Sequence, residues 1–184
     1  MRKVTSGLFH SVDGVVESPD QWQFDSFDDE LGAGMGDFIN STSTVILGRV
    51  TYEQWAGYWP AATDPFGDFI NPIEKFVASR TLSSDLKWQN SRLIDGGLEE
   101  FVRELKKGDG DDIAVCGSIS IVRQLLFAGL LDSLTLMQHP VIAGKGKHLF
   151  EPEDPTTRLF LQDSQITSKG NVIMKYGLLG ENLN

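Results

Sequence analysis

Short apolar segments alternate along this chain with segments in which apolar residues recur at every third or fourth position. The short runs are rich in valine, isoleucine and leucine and are typical of buried strands, whereas the longer spacing is typical of amphipathic helices. The predicted strands cover residues 3–10, 44–47, 74–79, 113–116 and 134–142. Such alternation predicts the α/β class, with a mostly parallel sheet and helices on its faces.

Four helices are predicted between these strands. The first begins at Ser26 and carries one apolar stripe, made of Leu31, Met35, Phe38 and Ile39. Its three glycines, at positions 32, 34 and 36, are explained by close packing on the sheet. The second helix follows Gly48, the third covers residues 98–105, and Ser118 caps the fourth, which ends before Gly129.

The last part of the chain predicts an antiparallel hairpin. Residues 159–168 and 172–179 flank the turn Lys169-Gly170-Asn171, whereas residues 57–71, rich in Gly, Pro and Asp, are predicted to form a loop. Both hairpin faces carry apolar residues, namely Ile166, Val172, Ile173, Met174, Tyr176, Leu178 and Leu179. One face would cover the core of this domain, and the other would pack on a second copy or on a helix of the same chain.

Two glycine-marked turns each leave an apolar strand and open a helix. Gly48 follows the run TVIL and Gly117 follows the run IAVC. A glycine lets the backbone approach a ligand closely, and a helix N-terminus presents free N–H groups to an anion. Arg49 and Thr51 add a guanidinium and a hydroxyl that suit a phosphate or a helix cap. Two such turns on one sheet predict a site for the pyrophosphate of a dinucleotide.

Composition narrows the function classes. The length of 184 residues fits one domain, residues 1–184, and the net charge of −10 argues against non-specific nucleic-acid binding. The chain has no apolar run long enough for a membrane span and no signal-peptide core. The lone Cys116 excludes an intramolecular disulfide, and the three histidines show no metal-ligand spacing, so no metal is expected. These features together predict a cytoplasmic protein.

Several segments, in order along the chain, resemble one known family. GRVTYE at 48–53 resembles a segment of dihydrofolate reductases, and VASRTL at 77–82 resembles a strand end of their relatives. SVDG at 11–14, GLLDSL at 129–134 and PVIAGKG at 140–146 are similar to the reductase domain of the bifunctional riboflavin-biosynthesis deaminase-reductase. The chain therefore resembles a stand-alone homologue of that domain. The resemblance implies a dihydrofolate reductase-like three-layer α/β/α sandwich, whose mixed, mostly parallel sheet ends in an antiparallel hairpin.

The resemblance also implies NADPH as the hydride donor. The implied cofactor-binding residues are Gly48, Arg49, Thr51, Ser79, Arg80, Thr81, Gly117, Ser118 and Ile119. Of these, Arg80 would face the 2′-phosphate, and the two glycine turns would face the pyrophosphate. Asp13 is a candidate catalytic residue, or else forms its own turn. A homodimer is also implied by the resemblance.

The substrate side departs from dihydrofolate reductases. Their acidic residue at the start of the first long helix is replaced by Phe27, and Asp25 and Asp28 either substitute for it by a shift or act as helix-capping acids. Aromatic residues that could line a heterocycle, or merely pack at helix ends, are Trp22, Phe24, Trp55 and Trp59.

Three functions stay open from the sequence. The first is an NADPH-dependent reductase of a small heterocyclic substrate, resembling 5-amino-6-(5-phosphoribosylamino)uracil reductase. The second is a dihydrofolate or pterin reductase. The third is a non-catalytic nucleotide-binding module that has kept the fold.

Overall fold

A computed structural model describes residues 1–178 of the chain. Its strands are Val4–His10 (β1), Thr42–Gly48 (β2), Glu74–Ala78 (β3), Ser91–Leu93 (β4), Asp112–Val115 (β5), Ser133–Gln138 (β6), Leu159–Ile166 (β7) and Val172–Leu178 (β8). Its α-helices are Asp29–Ser41 (α1), Arg49–Tyr58 (α2), Pro65–Ile70 (α3), Leu98–Lys107 (α4) and Ile119–Phe127 (α5).

The eight strands form one sheet in the order β4-β3-β2-β5-β1-β6-β8-β7. The first six are parallel, whereas β8 runs antiparallel to β6 and β7 antiparallel to β8. This topology confirms the predicted mixed sheet that ends in a hairpin. It also brings the carboxyl ends of β2, β5, β1 and β6, which are consecutive in the sheet, to one edge.

Helices cover both faces of the sheet, as the predicted three-layer sandwich requires. On one face Ile46, Ile113 and Val115 pack with α4 and α5. On the other face the neighbouring residues Val45 and Leu47 pack with α2 and α3. Val45, Ile46 and Leu47 thus alternate between two cores, and all three are buried because neither face of a central parallel strand meets solvent.

The first helix begins later than predicted. Asp28, not Ser26, is its N-cap, since a carboxylate oxygen of Asp28 accepts a hydrogen bond of 3.0 Å from the amide of Leu31. Close packing does not explain Gly36, where a Cβ would meet nothing within 4 Å, and a Cβ at Gly32 or Gly34 would make only an ordinary contact at 3.7 Å.

Two short elements were not predicted. Residues 57–71 contain α3, which Asp64 caps by accepting hydrogen bonds from Phe66 and Gly67, and β4 is a three-residue edge strand. Elements this short carry too few residues to show a periodicity. Conversely, β6 ends at Gln138 rather than at residue 142, because Pro140 has no amide hydrogen for a ladder bond.

The turn of the hairpin is attached to the start of α1. Asp28 accepts hydrogen bonds from the Thr167 hydroxyl at 2.5 Å and from the Asn171 amide at 2.9 Å. Leu179, which the sequence assigns to the hairpin, lies outside the described residues. Within residues 1–178, no helix has both the length and the apolar character needed to cross a membrane.

Candidate functional site

The two glycine turns lie against each other at the carboxyl edge of the sheet. The amide of Gly48 donates a 2.7 Å hydrogen bond to the carbonyl of Gly117. The hydroxyl of Ser118 lies 3.4 Å from the amide of Thr51 and 3.3 Å from its hydroxyl. The ends of β2 and β5 therefore form one continuous surface from which α2 and α5 both begin.

Neither turn has room for a side chain in place of its glycine. A Cβ at Gly48 would lie 2.5 Å from the Ser118 hydroxyl and 2.9 Å from its backbone nitrogen. A Cβ at Gly117 would lie 2.7 Å from the Thr51 hydroxyl, and Gly117 also has a φ of +123°, which side chains disfavour. The peptide bond between Gly117 and Ser118 is cis. These contacts explain why both positions are glycine.

Both helix starts lack a cap from their own first residue. Gly48 is the N-cap of α2 and has no side chain, so the expectation that Thr51 caps this helix is wrong. Ser118 is the N-cap of α5, as predicted, but its side chain makes no capping hydrogen bond within α5. Two helix N-termini with partial positive charge thus lie side by side, an arrangement that suits a pyrophosphate.

The predicted phosphate-binding arginines have different surroundings. Arg49 forms a 2.9 Å ion pair with Glu53 one turn along α2, and both side chains are 46% exposed. Arg80 follows the end of β3 and is exposed. The hydroxyl of Ser79 accepts hydrogen bonds from the amides of Thr81 (3.1 Å) and Leu82 (3.0 Å) and so fixes the turn that carries Arg80.

Asp13 joins the loop after β1 to the loop after β6. Its carboxylate accepts hydrogen bonds from the Ser11 hydroxyl (2.6 Å) and from the amides of Ala143 (2.9 Å) and Gly144 (2.8 Å). These bonds, with the one from Ser11 the largest contributor, lower the pKa of Asp13 to about 2. An ionised carboxylate with three donors is poorly suited to donate a proton, so this geometry favours a positioning role.

The predicted aromatic residues separate into two groups. Trp22 and Phe24 lie at the carboxyl edge beside β6, where the Trp22 ring packs edge-on against His139 at 5.8 Å. Trp55 and Trp59 instead pack against each other and against Phe66, in a cluster between α2 and α3. The structure therefore does not bring the four aromatic residues into one wall.

A buried hydrogen-bond network surrounds His139, and no sequence motif predicts it. His139 is fully buried, with its ring nitrogens 2.9 Å from the Gln23 amide nitrogen and 2.6 Å from the Ser26 hydroxyl. Burial, followed by the nearby charge of His10, lowers the pKa of His139, although Asp28 opposes the shift. A neutral His139 that accepts from Gln23 and donates to Ser26 satisfies all three groups. This network fixes the segment before α1.

Apolar side chains are exposed at the ends of β1 and β6. Val12 is 55% exposed, Phe24 78%, Phe27 43% and Ile142 76%, and we call these four residues the apolar rim. The loops carrying Val12 and Ile142 are joined, because the Val12 amide donates to the Val141 carbonyl at 2.8 Å. Phe27 packs edge-on against Phe9 near the end of β1, with ring centroids 6.2 Å apart. Sequence patterns miss such a set because its members come from three separate loops.

Two clefts are candidates for a ligand. A cleft of about 350 Å³ lies between residues 17–22 and the loop after β6 and is lined by Glu17, Ser18, Gln21, Trp22, Ala143, Lys145 and Gly146. A larger one of about 480 Å³ lies near the amino ends of β3 and β4 and is lined by Ala56, Pro60, Asn71, Lys87, Trp88 and Gln89. The second contains none of the predicted site residues and is remote from the glycine turns.

Comparison with known proteins identifies the family. The chain matches the RibD C-terminal domain family over residues 2–174, so it belongs to that family. This membership confirms the resemblance drawn from the sequence and supports a reductase related to riboflavin biosynthesis.

Similar proteins cover nearly the whole chain. The uncharacterized protein YyaP of Bacillus subtilis is 30% identical over 95% of this chain and 94% of its own length. The uncharacterized protein YwjB of the same organism is 28% identical over 89% of this chain and 91% of its own.

Two solved structures share the fold. One is a candidate riboflavin biosynthesis protein from Shewanella sp. PV-4, with a TM-score of 0.79, 15% identity, and coverage of 97% of this chain and 99% of that one. The other is a pyrimidine reductase-like protein from Corynebacterium diphtheriae, with a TM-score of 0.65, 15% identity, and coverage of 98% and 93%. At this identity the two structures support the fold alone.

Proposed function

We propose that the protein is an NADPH-dependent reductase of a small, planar heterocyclic substrate. The observation that carries the proposal is the contact between the Gly48 and Gly117 turns, where two helix N-termini meet without room for a side chain and neither N-cap residue caps its own helix with its side chain. This surface fits the pyrophosphate of a dinucleotide. Membership of the RibD C-terminal domain family supports the reductase assignment.

Each implied residue has a role that its position permits. Gly48, Gly117 and Ser118 would admit the pyrophosphate to the helix ends, next to Thr51 and Ile119. Arg80 would reach the 2′-phosphate, and Ser79 holds the turn that carries it. Arg49 forms an exposed ion pair with Glu53 and would bind the phosphate only after breaking that pair. Breaking an exposed ion pair costs little free energy.

When bound, NADPH supplies a hydride to a C=N or C=O bond. The chain's own residues would position the ring and exclude water from it. Because Asp13 is ionised and engaged with two loops, water is the proposed proton donor. Asp13 would hold the shape of the loops after β1 and β6.

A two-stage experiment tests this proposal. Quenching of NADPH fluorescence measures binding, and loss of NADPH absorbance in the presence of heterocyclic acceptors measures turnover. We expect binding at micromolar concentration and turnover of at least one acceptor. Binding without turnover across the panel would favour the non-catalytic module, and no binding would reject the nucleotide site itself.

The dihydrofolate or pterin alternative lacks its acidic residue. Phe27 occupies the expected position, and both oxygens of Asp28 accept hydrogen bonds from within the protein, from Leu31, Thr167 and Asn171 among others. Although burial opposes ionisation, these bonds keep the pKa of Asp28 below its usual value. Asp28 is thus a structural cap, as one of the two sequence interpretations held.

A homodimer is proposed on the exposed face of the hairpin. Leu161 is 53% exposed and Ile166 78%, and strand register places them beside Tyr176 and Val172. Edge strands with apolar side chains are typical interfaces, and two-fold pairing is the commonest solution. Light scattering should give twice the chain mass of 20.3 kDa. A mass of 20.3 kDa would reject the dimer, and Ile166→Lys should dissociate it.

A further inference from the structure

The neighbours of the buried His139 ring fix the position of its proton. Gln23 presents its side-chain amide nitrogen to Nε2 of His139 at 2.9 Å, and because an amide nitrogen only donates, this ring nitrogen accepts. The Ser26 hydroxyl donates its own proton to the Gln23 carbonyl at 2.5 Å, so it accepts from Nδ1 of His139 at 2.6 Å. His139 is therefore neutral, with its proton on Nδ1.

This protonation state differs from that of a histidine in water. There the neutral ring carries its proton mostly on Nε2, whereas in a protein the hydrogen bonds of the ring decide which nitrogen is protonated. A second proton on Nε2 of His139 would face the Gln23 amide, a contact between two donors. Burial and then His10, at the end of β1, disfavour a charge on His139, and Asp28 at the start of α1 favours one. The surroundings as a whole thus keep the ring neutral.

The hairpin turn also holds Ser26. The side-chain amide of Asn171, which is fully buried, donates to the Ser26 carbonyl at 2.7 Å and to the Asp28 carboxylate at 2.9 Å. The backbone amide of His139 donates to the carbonyl of His10 at 2.8 Å. The contact between Ser26 and His139 therefore joins two segments that are each hydrogen-bonded to another part of the protein.

The segment held by this network carries one wall of the smaller cleft. Trp22 directly precedes Gln23, is 6% exposed and lines the cleft of about 350 Å³. Its ring packs edge-on against His139 with centroids 5.8 Å apart, and its indole nitrogen donates to the Glu17 carbonyl at 2.9 Å. The position of Trp22 in the cleft thus depends on the orientation of the His139 ring.

We infer that Ser26 and the neutral, Nδ1-protonated His139 are positioning residues, which hold residues 22–26 so that Trp22 forms a wall of the substrate cleft. The inference rests on the proposed reductase function only in placing the substrate in this cleft. Because both side chains are buried, they act through Trp22 rather than by touching the substrate. Loss of the Ser26 hydroxyl should therefore weaken substrate binding and leave NADPH binding at the glycine turns unchanged.

Long-range ¹H–¹⁵N correlation spectra of the ¹⁵N-labelled chain test the proton position directly, since the chain has only three histidines. At pH 7, His139 should show a protonated Nδ1 and an unprotonated Nε2. The exposed His148 is the internal reference for a ring in contact with water. A charged His139 at pH 7, or one protonated on Nε2 alone, would overturn the inference.

Two substitutions should change the His139 spectrum in different ways. Ser26→Ala removes the acceptor of the Nδ1 proton, so the proton should move to Nε2 and the Gln23 amide should turn its oxygen toward it. Gln23→Glu places a carboxylate against Nε2, so His139 should become charged at pH 7. Ser41→Ala and Gln21→Glu make the same changes at exposed residues outside the network and should leave the spectrum unchanged. An unchanged spectrum in both network variants would overturn the inference.

Hydrogen exchange at the Trp22 indole N–H tests the positioning step. Ser26→Ala should speed this exchange by about tenfold or more, because the ring that supports Trp22 is no longer fixed. The indole N–H of Trp88, bonded to Asn71 at 2.8 Å in the other cleft, is the internal control and should exchange at an unchanged rate. Unchanged exchange at Trp22 would overturn the inference, as would equal acceleration at both indoles, which indicates general destabilisation.

Turnover separates this inference from the proposed function. With an acceptor that the protein reduces, Ser26→Ala should raise KM by about tenfold, while kcat and the Kd of NADPH should change by less than about threefold. An unchanged KM would overturn the inference and leave the reductase proposal intact. If no acceptor is reduced, the reductase proposal fails, whereas the spectra and the exchange rates still decide whether Ser26 and His139 position Trp22.

Discussion

The carboxyl edge of the sheet has two halves that are built in different ways. At the ends of β2 and β5 the surface is formed by backbone atoms, those of Gly48 and Gly117 and of the first residues of two helices. We call this the backbone half. At the ends of β1 and β6 the surface is formed by side chains, those of the apolar rim and of the Asp13 and His139 networks. We call this the side-chain half. Backbone recognition suits the invariant phosphates of a cofactor, whereas side chains set the selectivity for a substrate.

The largest expected effect is the loss of NADPH binding when a side chain is introduced into the backbone half. Gly117→Val should abolish NADPH binding for two reasons. The valine side chain would meet Thr51, and the backbone φ of +123° at this position is unfavourable for valine. Fluorescence titration checks the binding, and circular dichroism checks the fold. Gly170→Ala is the matched control: its φ is +80°, but its Cβ would meet nothing within 4 Å. Normal NADPH binding by Gly117→Val would show that this turn is only a connection.

The next effect separates NADPH from NADH. Arg80→Ala should weaken NADPH much more than NADH, because a lost charge-assisted hydrogen bond is worth about 1.5–3 kcal/mol, or roughly 10- to 150-fold. Arg92→Ala, which removes an exposed arginine of β4 paired with Glu74, is the control. An equal change for both cofactors would remove Arg80 from the 2′-phosphate site.

Asp13 gives a pH-dependent test of the side-chain half. Its pKa of about 2 lies below the usual value of about 3.9, so its stabilising effect is present above about pH 4 and is lost as the pH falls toward 2. Asp13→Asn should therefore be less stable than the natural chain near neutral pH, and the difference should shrink in acid. Urea unfolding at several pH values measures this. A difference in the free energy of unfolding that does not change with pH would argue against an ionised Asp13 that joins the two loops.

The pH profile of turnover distinguishes positioning from proton donation by the same residue. Asp13→Asn should lower kcat/KM without removing an ionisation near neutral pH. Loss of such an ionisation in the variant would return Asp13 to the role of catalytic acid.

The smallest expected effect lies outside both halves. Gly36 is inside α1, and a Cβ there would meet nothing within 4 Å. Gly36→Ala should therefore raise the free energy of unfolding by about 0.5–1 kcal/mol without changing ligand binding. Thermal unfolding measures the gain, and a loss of stability would show that this helix depends on an interaction not seen within residues 1–178.

The sequence predicts the backbone half but not the side-chain half, and the reason is physical. Gly48 and Gly117 each stand directly between a strand and a helix, so local pattern alone marks the turns, and the strand order that brings them together follows from the family resemblance. The rim and the His139 network join residues more than a hundred positions apart, such as Ser26 and His139. No local periodicity encodes such contacts, and Ser26 was therefore assigned to a helix start.

The most direct test of the account is to map NADPH on the protein by amide chemical shifts in ¹⁵N-labelled chain. The account predicts that the largest shifts fall on residues 48–51, 79–81 and 117–119, with smaller ones in the loops after β1 and β6. Shifts centred instead on the cleft lined by Asn71, Trp88 and Gln89, or no shifts at millimolar NADPH, would contradict it.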